Sequence, residues 1–384
     1  MTGLRSPSVM MLGLRGFPGV QGGVEVHAEH LCVHLAELGC RVDVIVRSSY
    51  QPREVGDQWR GMRFKRLWAP KSKGLEAIVH TFLGVLYAAV RRPDILHIQA
   101  IGPALLTPLA RLLGLKVVVT HHGPDYDRQK WGRFAKLALK LGERFGMRWA
   151  NARIVISQVI QKLASEKYGT ESALIPNGVT LPQLPDTKDA LERFGLASGR
   201  YVLMVSRLVP EKRHLDLIRA FGEAELQGWK LVIVGASDHP DEYTREVMDS
   251  IGKMSGVVGT GFQTGQPLQE LYAHAGLFVL PSSHEGLPIA LLEALSYGLP
   301  VIASDIPANL EVGLPENHYF RLGDVGMLAE RLGEFAARTQ TEEARDALRA
   351  WVNKRYDWEK IARSTLQVYC SVLGRGAEGC DESH

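Results

Sequence analysis

Residues 9–49 read VMMLGLRGFPGVQGGVEVHAEHLCVHLAELGCRVDVIVRSS, and the order of elements in this stretch decides the fold class. VMMLGL (9–14) is a short run of buried-strand character, and RGFPGVQGG (15–23) is a glycine-rich loop. VEVHAEHLCVHLAELG (24–39) carries apolar residues at helical spacing before a terminal Gly39, and RVDVIVRSS (41–49) is a second strand. A buried strand, a loop, a helix and another buried strand make one unit of a parallel sheet covered on both faces.

The alternation continues outward from there. A long helix is expected around residues 74–91, then strand DILHIQA (94–100), helix PALLTPLARLLG (103–114), strand KVVVTHHG (116–123), a helix from Trp131 to about Trp149, and strand ARIVIS (152–157). NGVTLPQLPDTKDALERFGL (177–196) reads as a linker with an Asp/Thr helix start, after which the pattern restarts with strand YVLMVSRL (201–208). A helix from His214, strand KLVIVGAS (230–237), a helix near 241–254, VVGTGF (257–262), helix QELYAHA (269–275), strands LFVLPSS (277–283) and PVIAS (300–304) follow. The expectation is an α/β chain of two doubly wound Rossmann-like domains, 1–182 and 183–357. Ligands of such sheets bind beyond the carboxyl ends of the strands, so the two are expected to face each other across a cleft. YDWEKIARSTLQVYCSVL (356–373) is one amphipathic helix before a polar end.

The 384 residues, 45% hydrophobic and 23% charged, suit two domains with sizeable cores. The first apolar run is too short for a signal-peptide core or a membrane span, so a cytoplasmic protein is expected. Cys32, Cys40, Cys370 and Cys380 lack CxxC spacing and are expected to be buried or free thiols. The net charge of +3 hides an asymmetry: residues 1–182 carry 25 Lys/Arg against 13 Asp/Glu, and the remainder carries 20 against 29. A basic half usually faces phosphates, an anionic membrane surface or nucleic acid. No nucleic-acid-binding module accompanies the charge here.

Three places carry candidate chemistry. Gly16, Gly19, Gly22 and Gly23 lie between a strand and a helix, where free N–H groups and the helix dipole favour an anion. The spacing is not GxGxxG, and the next strand ends without an acid for a ribose, which disfavours a nicotinamide dehydrogenase; a glycine turn serving only tight packing stays open. GTGFQTG (259–265) misses the dinucleotide fingerprint by one residue. In VSRLVPEKRHLDLI (205–218), Arg207 and Lys212 follow a strand end and suit a diphosphate leaving group, or else are solvated charges. In SSHEGLPIALLEALSYGLP (282–300), Pro288 fits a first helical turn, Glu285 precedes it and Glu293 lies about 7 Å along the helix. One carboxylate can accept sugar hydroxyls and the other ribose hydroxyls; an amphipathic helix with one tolerated Glu is the plainer alternative.

Taken together, these residues resemble the retaining GT-B glycosyltransferases of group four (GT4), which use nucleotide-sugar donors. The likeness runs through PGVQGGVEVHAEHL, LGCRVDVIV, SRLVPEKR, VVGTGF, LFVLPSSHEGLPIALLEALSYGLPVIASDIPANLEV and the WEKIA…VY tail. Glu285 and Glu293 look like the family's E-x7-E pair. RGFPGVQGG and HHGPDYDRQKWGRFAKLA are similar to a bacterial branch that builds surface polysaccharides, with Tyr126 where that branch usually has tryptophan. The resemblance implies that residues 358–384 pack back toward the first domain with a frayed end. It implies that Gly22 and Gly23 approach the donor phosphates, that Arg207 and Lys212 bind the diphosphate, and that Glu293 binds the ribose and Glu285 the sugar. Gly286 and Leu287 join the donor-binding set, Gly261 and Phe262 face the base, and His122 sits beside the donor sugar, with His121 as the fallback. With no DxD strand end, no metal ion and no cofactor are expected, and configuration is expected to be retained without a protein nucleophile. UDP is favoured on family frequency. RQKWGRFAKLALKLGERFGMRW (128–149), with seven Lys/Arg and one Glu, suits a helix at an anionic membrane or a core helix with a solvated basic face. Lys130, Arg133, Lys136, Lys140 and Arg144 are its candidate contacts, in a domain expected to take a saccharide or polyprenyl-linked saccharide acceptor at the inner face of the plasma membrane. A nucleotide-sugar epimerase and a noncatalytic binding protein of the same fold are the alternatives.

Overall fold

Parallel strand pairing organises both halves of the chain. The computed structural model describes residues 6–70, 75–127, 132–237 and 240–375. It divides into two compact units, Met1–Gly178 with Trp358–His384, and Val179–Asp357.

The first unit begins β1 (Ser8–Leu12), α1 (Gly23–Glu37), β2 (Arg41–Arg47), β3 (Gln58–Trp59), β4 (Met62–Leu67) and α2 (Leu75–Arg91). It continues β5 (Ile95–Gln99), α3 (Thr107–Leu112), β6 (Val117–His121), α4 (Arg133–Trp149), β7 (Ala152–Val155), α5 (Gln158–Tyr168) and β8 (Ala173–Leu174). The sheet order is β3-β4-β2-β1-β5-β6-β7-β8, parallel except between β3 and β4. Alternation along β1 separates two cores: Val9 and Met11 pack with Leu31, Val44 and Tyr369, whereas Met10 and Leu12 pack with Val85, Ile98 and Met147.

The second unit contains α6 (Asp189–Phe194), β9 (Tyr201–Val205), α7 (His214–Glu223), β10 (Lys230–Val234), α8 (Glu242–Lys253), β11 (Val257–Gly261) and α9 (Gly265–Ala273). Then come β12 (Leu277–Leu280), α10 (Ile289–Ser296), β13 (Val301–Ser304), α11 (Pro307–Leu310), β14 (Tyr319–Phe320), α12 (Val325–Ala336) and α13 (Glu342–Tyr356). Its sheet is wholly parallel in the order β11-β10-β9-β12-β13-β14. α14 (Trp358–Leu373) belongs to the first unit. Gly178 ends that unit's first segment under the Trp358 indole, where a Cβ would stand 2.4 Å from the ring.

Several expectations are corrected. Residues 103–114 do not form one helix: a 3-10 turn at Pro103–Leu106 precedes α3. Pro108 has no N–H to donate to the carbonyl of the preceding turn, so it sits in the first turn of α3 and the backbone breaks before it at Leu106, φ −90° and ψ 3°. Pro288 is the N-cap of α10, just outside its first turn, whereas the helix start read within 177–196 is present as α6. Cys32 and Cys40 are buried free thiols, but Cys370 is disulfide-bonded, so the expectation of free thiols throughout fails there. Among the described residues no helix is long and apolar enough to cross a membrane.

Candidate active site

In the second sheet, β10 lies on one side of β9 and β12 on the other, so the carboxyl end of β9 is a topological switch point. Chain connections diverge there and leave a crevice suited to a ligand. Arg207, half-buried, stands two residues past β9. The backbone then forms a 3-10 turn, Pro210–Lys212, whose Pro210 is pre-set for the first position. Two bonds fix this loop: Leu208 N–H donates to Ala236 O at 3.1 Å, and Ser206 Oγ meets His214 Nε2 at 2.9 Å. The segment after β12 is stapled to it, because Ser283 N–H donates to Glu211 O at 2.8 Å. That staple brings Glu285 to Lys212, whose Nζ donates to Oε1 of the carboxylate. The two side chains are only 19% and 11% exposed, so this is a largely desolvated pair. Glu211 was missed in the sequence, where nothing separates it from a solvated loop acid. It is 4% exposed, and neither carboxylate oxygen has a hydrogen-bond partner among the described residues.

Glu293 has a different neighbour. Tyr272 OH donates to its Oε2 at 3.0 Å, and the Tyr272 ring is stacked against Tyr297 with centroids 5.1 Å apart. Burial over this aromatic floor pushes the Glu293 carboxyl up to about 7, against the opposing Tyr272 bond. Leu287 is buried and Gly286 half-buried between the two glutamates in sequence. Gly261 ends β11 at φ 70°, a left-handed conformation that favours glycine, and Phe262 beyond it is exposed. Lys212 and Glu285 are thus in contact, while Glu293 is bonded to Tyr272 and Gly261–Phe262 ends another strand of the same sheet.

In the first unit, β1 leads into the glycine loop. Gly22 caps α1, and a Cβ there would lie 2.1 Å from Glu25 Oε2 and 2.6 Å from Arg15 Nη2. The Arg15–Glu25 ion pair, at 2.9 Å, thus packs directly over Gly22, and a side chain there would have to displace it. Gly23 is the first residue of α1.

β6 delivers both histidines, and their environments differ. His121 is fully buried; its Nδ1 accepts from Gly123 N–H at 3.0 Å and its Nε2–H donates to Glu143 Oε1 at 3.0 Å. His122 is half-buried, with Nε2–H donating to Gln99 Oε1 at 2.7 Å, which leaves the lone pair on Nδ1. Burial, then the neighbouring His121 and His97, push His122 down to about 3, so it is neutral near pH 7.

Glu143 changes the reading of the basic helix. The one acid of that helix, it is fully buried and accepts from His121, Tyr126, Lys167 and Tyr168. Burial alone would raise its pKa, but those bonds hold it at about 2. Glu143→Ala should cost about 3 kcal/mol at pH 7, because it orphans the His121 N–H. The carboxyl titrates below its ordinary value, so its contribution is complete above about pH 4.5 and is lost as pH falls toward 2. Denaturant melts should show the gap to wild type closing over that range. Of the candidate membrane residues, Arg133, Lys140 and Arg144 are exposed, and Lys136 is half-buried. Lys140 lies over the Tyr126 ring at 5.5 Å, and Lys130 falls outside the described residues.

Each unit is a doubly wound, largely parallel domain, and the second carries a cation–carboxylate pair at its switch point. Residues 21–182 match the family described as Glycosyltransferase Family 4, and residues 190–364 match Glycosyl transferases group 1. The chain is 30% identical over 282 residues to the GDP-mannose-dependent alpha-(1-6)-phosphatidylinositol monomannoside mannosyltransferase of Mycolicibacterium smegmatis, covering 62% of this chain and 71% of that one. It is 28% identical over 232 residues to the UDP-Gal:alpha-D-GlcNAc-diphosphoundecaprenol alpha-1,3-galactosyltransferase of Escherichia coli, covering 56% of this chain and 59% of that one. Sucrose-phosphate synthase from Thermosynechococcus elongatus has the same fold, with TM-score 0.79 and 22% identity over 96% of this chain and 99% of that one. The chain belongs to the GT4-type GT-B glycosyltransferases.

Proposed function

We propose that this glycosyltransferase moves a hexose from a nucleotide-sugar donor, a UDP-sugar first, to a lipid-linked saccharide acceptor in bacterial cell-surface polysaccharide synthesis. The observation that carries the reading is the Lys212–Glu285 pair at the carboxyl edge of the second sheet. As the bond from the anomeric carbon to the diphosphate breaks, negative charge grows on the departing phosphate oxygen. The Lys212 ammonium and Arg207 guanidinium neutralise that charge, in the role a metal ion plays elsewhere. Glu285 accepts hydroxyls of the sugar and Glu293 those of the ribose, while Gly261 and Phe262 face the base and Gly286 and Leu287 line the approach between them. In the first unit, Gly22, Gly23 and His122 keep the roles implied by the resemblance. The acceptor hydroxyl attacks on the face that the diphosphate leaves, its proton passing to the departing oxygen, so configuration is retained. The lipid acceptor is supported by two relatives whose names contain phosphatidylinositol and diphosphoundecaprenol. It is supported also by the basic outer face of α4, which suits an anionic inner leaflet.

The test is release of nucleoside diphosphate from a panel of UDP-, GDP- and dTDP-sugars by the purified protein in EDTA. The expected result is turnover of one donor, absent in Arg207→Ala/Lys212→Ala. Turnover that requires an added divalent ion would overturn the metal-independent mechanism. Binding of a donor with no turnover, even with a polyprenyl-linked acceptor, would overturn catalysis.

A further inference from the structure

α2 is built inside out. The residues it buries are Glu76, His80, Thr81, Gly84, Val85 and Ala88. The residues it turns outward are Leu75, Ile78, Phe82, Leu86 and Val90, exposed at 58%, 37%, 43%, 40% and 81%. Steps of three and four residues put these five on one stripe, about 22 Å long at 1.5 Å per residue. A helix that covers a sheet in water ordinarily shows the reverse pattern. Glu76 and Thr81 are satisfied where they are. Glu76 pairs with Arg47 at 3.4 Å and accepts from Tyr50 OH at 3.4 Å, and Thr81 Oγ1–H donates to Ala77 O at 2.7 Å. Burial pushes His80 down to about 4, so it sits inside uncharged.

The stripe is part of a wider layer. Val85 and Ala88 of α2, Ala110 of α3 and Met147 of α4 share one core cluster on the same face of the sheet. The outer side of that layer adds Leu112, Phe134 and Leu137, exposed at 78%, 90% and 56%. Around them stand exposed cations: Arg91 and Arg92 at the end of α2, and Arg133, Lys140, Arg144 and Arg148 on α4. The acids of α2 and α4, Glu76 and Glu143, are both buried, and α3 has none. Apolar side chains among cations, with no exposed acid on these three helices among the described residues, complement an anionic lipid interface. A second copy of the chain would set this positive face against another.

We propose that α2 is a membrane-inserting helix. It lies in the plane of an anionic bilayer, with Phe82 and its stripe among the acyl chains and the cations of α4 on the headgroups. This goes beyond electrostatic contact through α4 and does not depend on the donor assignment. Vesicle binding needs no nucleotide sugar and donor turnover needs no vesicle, so each can fail alone.

The experiment floats the full-length chain with vesicles of equal parts phosphatidylglycerol and phosphatidylethanolamine. Ile78→Ser/Phe82→Ser/Leu86→Ser should lower the partition coefficient about a hundredfold, and the loss should persist at about 1 M salt, where charges are screened. Lys136→Glu/Lys140→Glu/Arg144→Glu should lose only the binding that salt removes. Leu310→Ser, an exposed position of the second unit, should bind as wild type. Phe82→Trp should be quenched by acyl-brominated lipid beyond the wild-type background, a readout independent of whether the triple variant folds. Full binding by a folded triple variant, or an unquenched Phe82→Trp, would overturn the proposal. So would a wild-type dimer that the triple variant dissociates and that ignores vesicles, which would give the face to a second copy.

Discussion

Lys212→Ala is expected to lower kcat for sugar transfer about a thousandfold, the scale of removing a principal charge-stabilising group from a transition state. The loss has two sources. The departing diphosphate loses a cation, and Glu285, 11% exposed, becomes an unpaired carboxylate beside the growing negative charge. The second source is separable: Lys212→Ala/Glu285→Gln should recover most of the lost melting temperature and little of the kcat. Steady-state kinetics on the turned-over donor, with thermal melts of both variants, check this. A kcat within tenfold of wild type for Lys212→Ala would remove the lysine from leaving-group stabilisation.

Glu293→Gln should weaken donor binding about thirtyfold at pH 8, since an amide replaces a charged acceptor of ribose hydroxyls, and should also make the protein more stable. The folded carboxyl titrates at about 7, above its ordinary 4.5, so the folded state holds this proton more tightly than the unfolded chain. Wild-type stability therefore falls as pH rises from about 4.5 through about 7, and levels off above. Glutamine does not ionise, so the variant should gain up to about 3 kcal/mol over wild type at pH 8, a difference that disappears near pH 4. Donor affinity of the wild type should rise with pH through about 7 and stay flat in the variant. Calorimetry and denaturant melts across pH measure both. Unchanged donor affinity in Glu293→Gln would sink the ribose assignment.

Much of the architecture was legible because its cause is local. A glycine loop between an apolar strand and a periodic helix can do little but open a parallel unit, and repetition of that unit gives two doubly wound domains. The 103–114 break was readable too, since Pro108 was in view, but helical composition masked it. Cys370 was not: spacing in sequence does not report which sulfurs meet.

The candidate site divides in the same way. Arg207 and Lys212 after a strand, and Glu285 before a helix, are recognisable by position, and the resemblance adds their roles. The Lys212–Glu285 contact joins residues 73 apart in the chain and depends on β12 lying beside β9 and on the Ser283–Glu211 staple. Glu143 shows the same limit: by sequence it is the single acid of a basic helix, and in the fold it is the buried acceptor that holds His121.

By itself, then, the sequence determined the order of strands and helices, the family likeness and the residue types at the site, because periodicity and short motifs are properties of neighbouring residues. Tertiary structure alone decided which side of each element faces in. A helical period reveals that α2 has two faces and says nothing of which one the sheet receives. Arg47 and Tyr50 take Glu76 inside, and Phe82 and Leu86 are left on the surface.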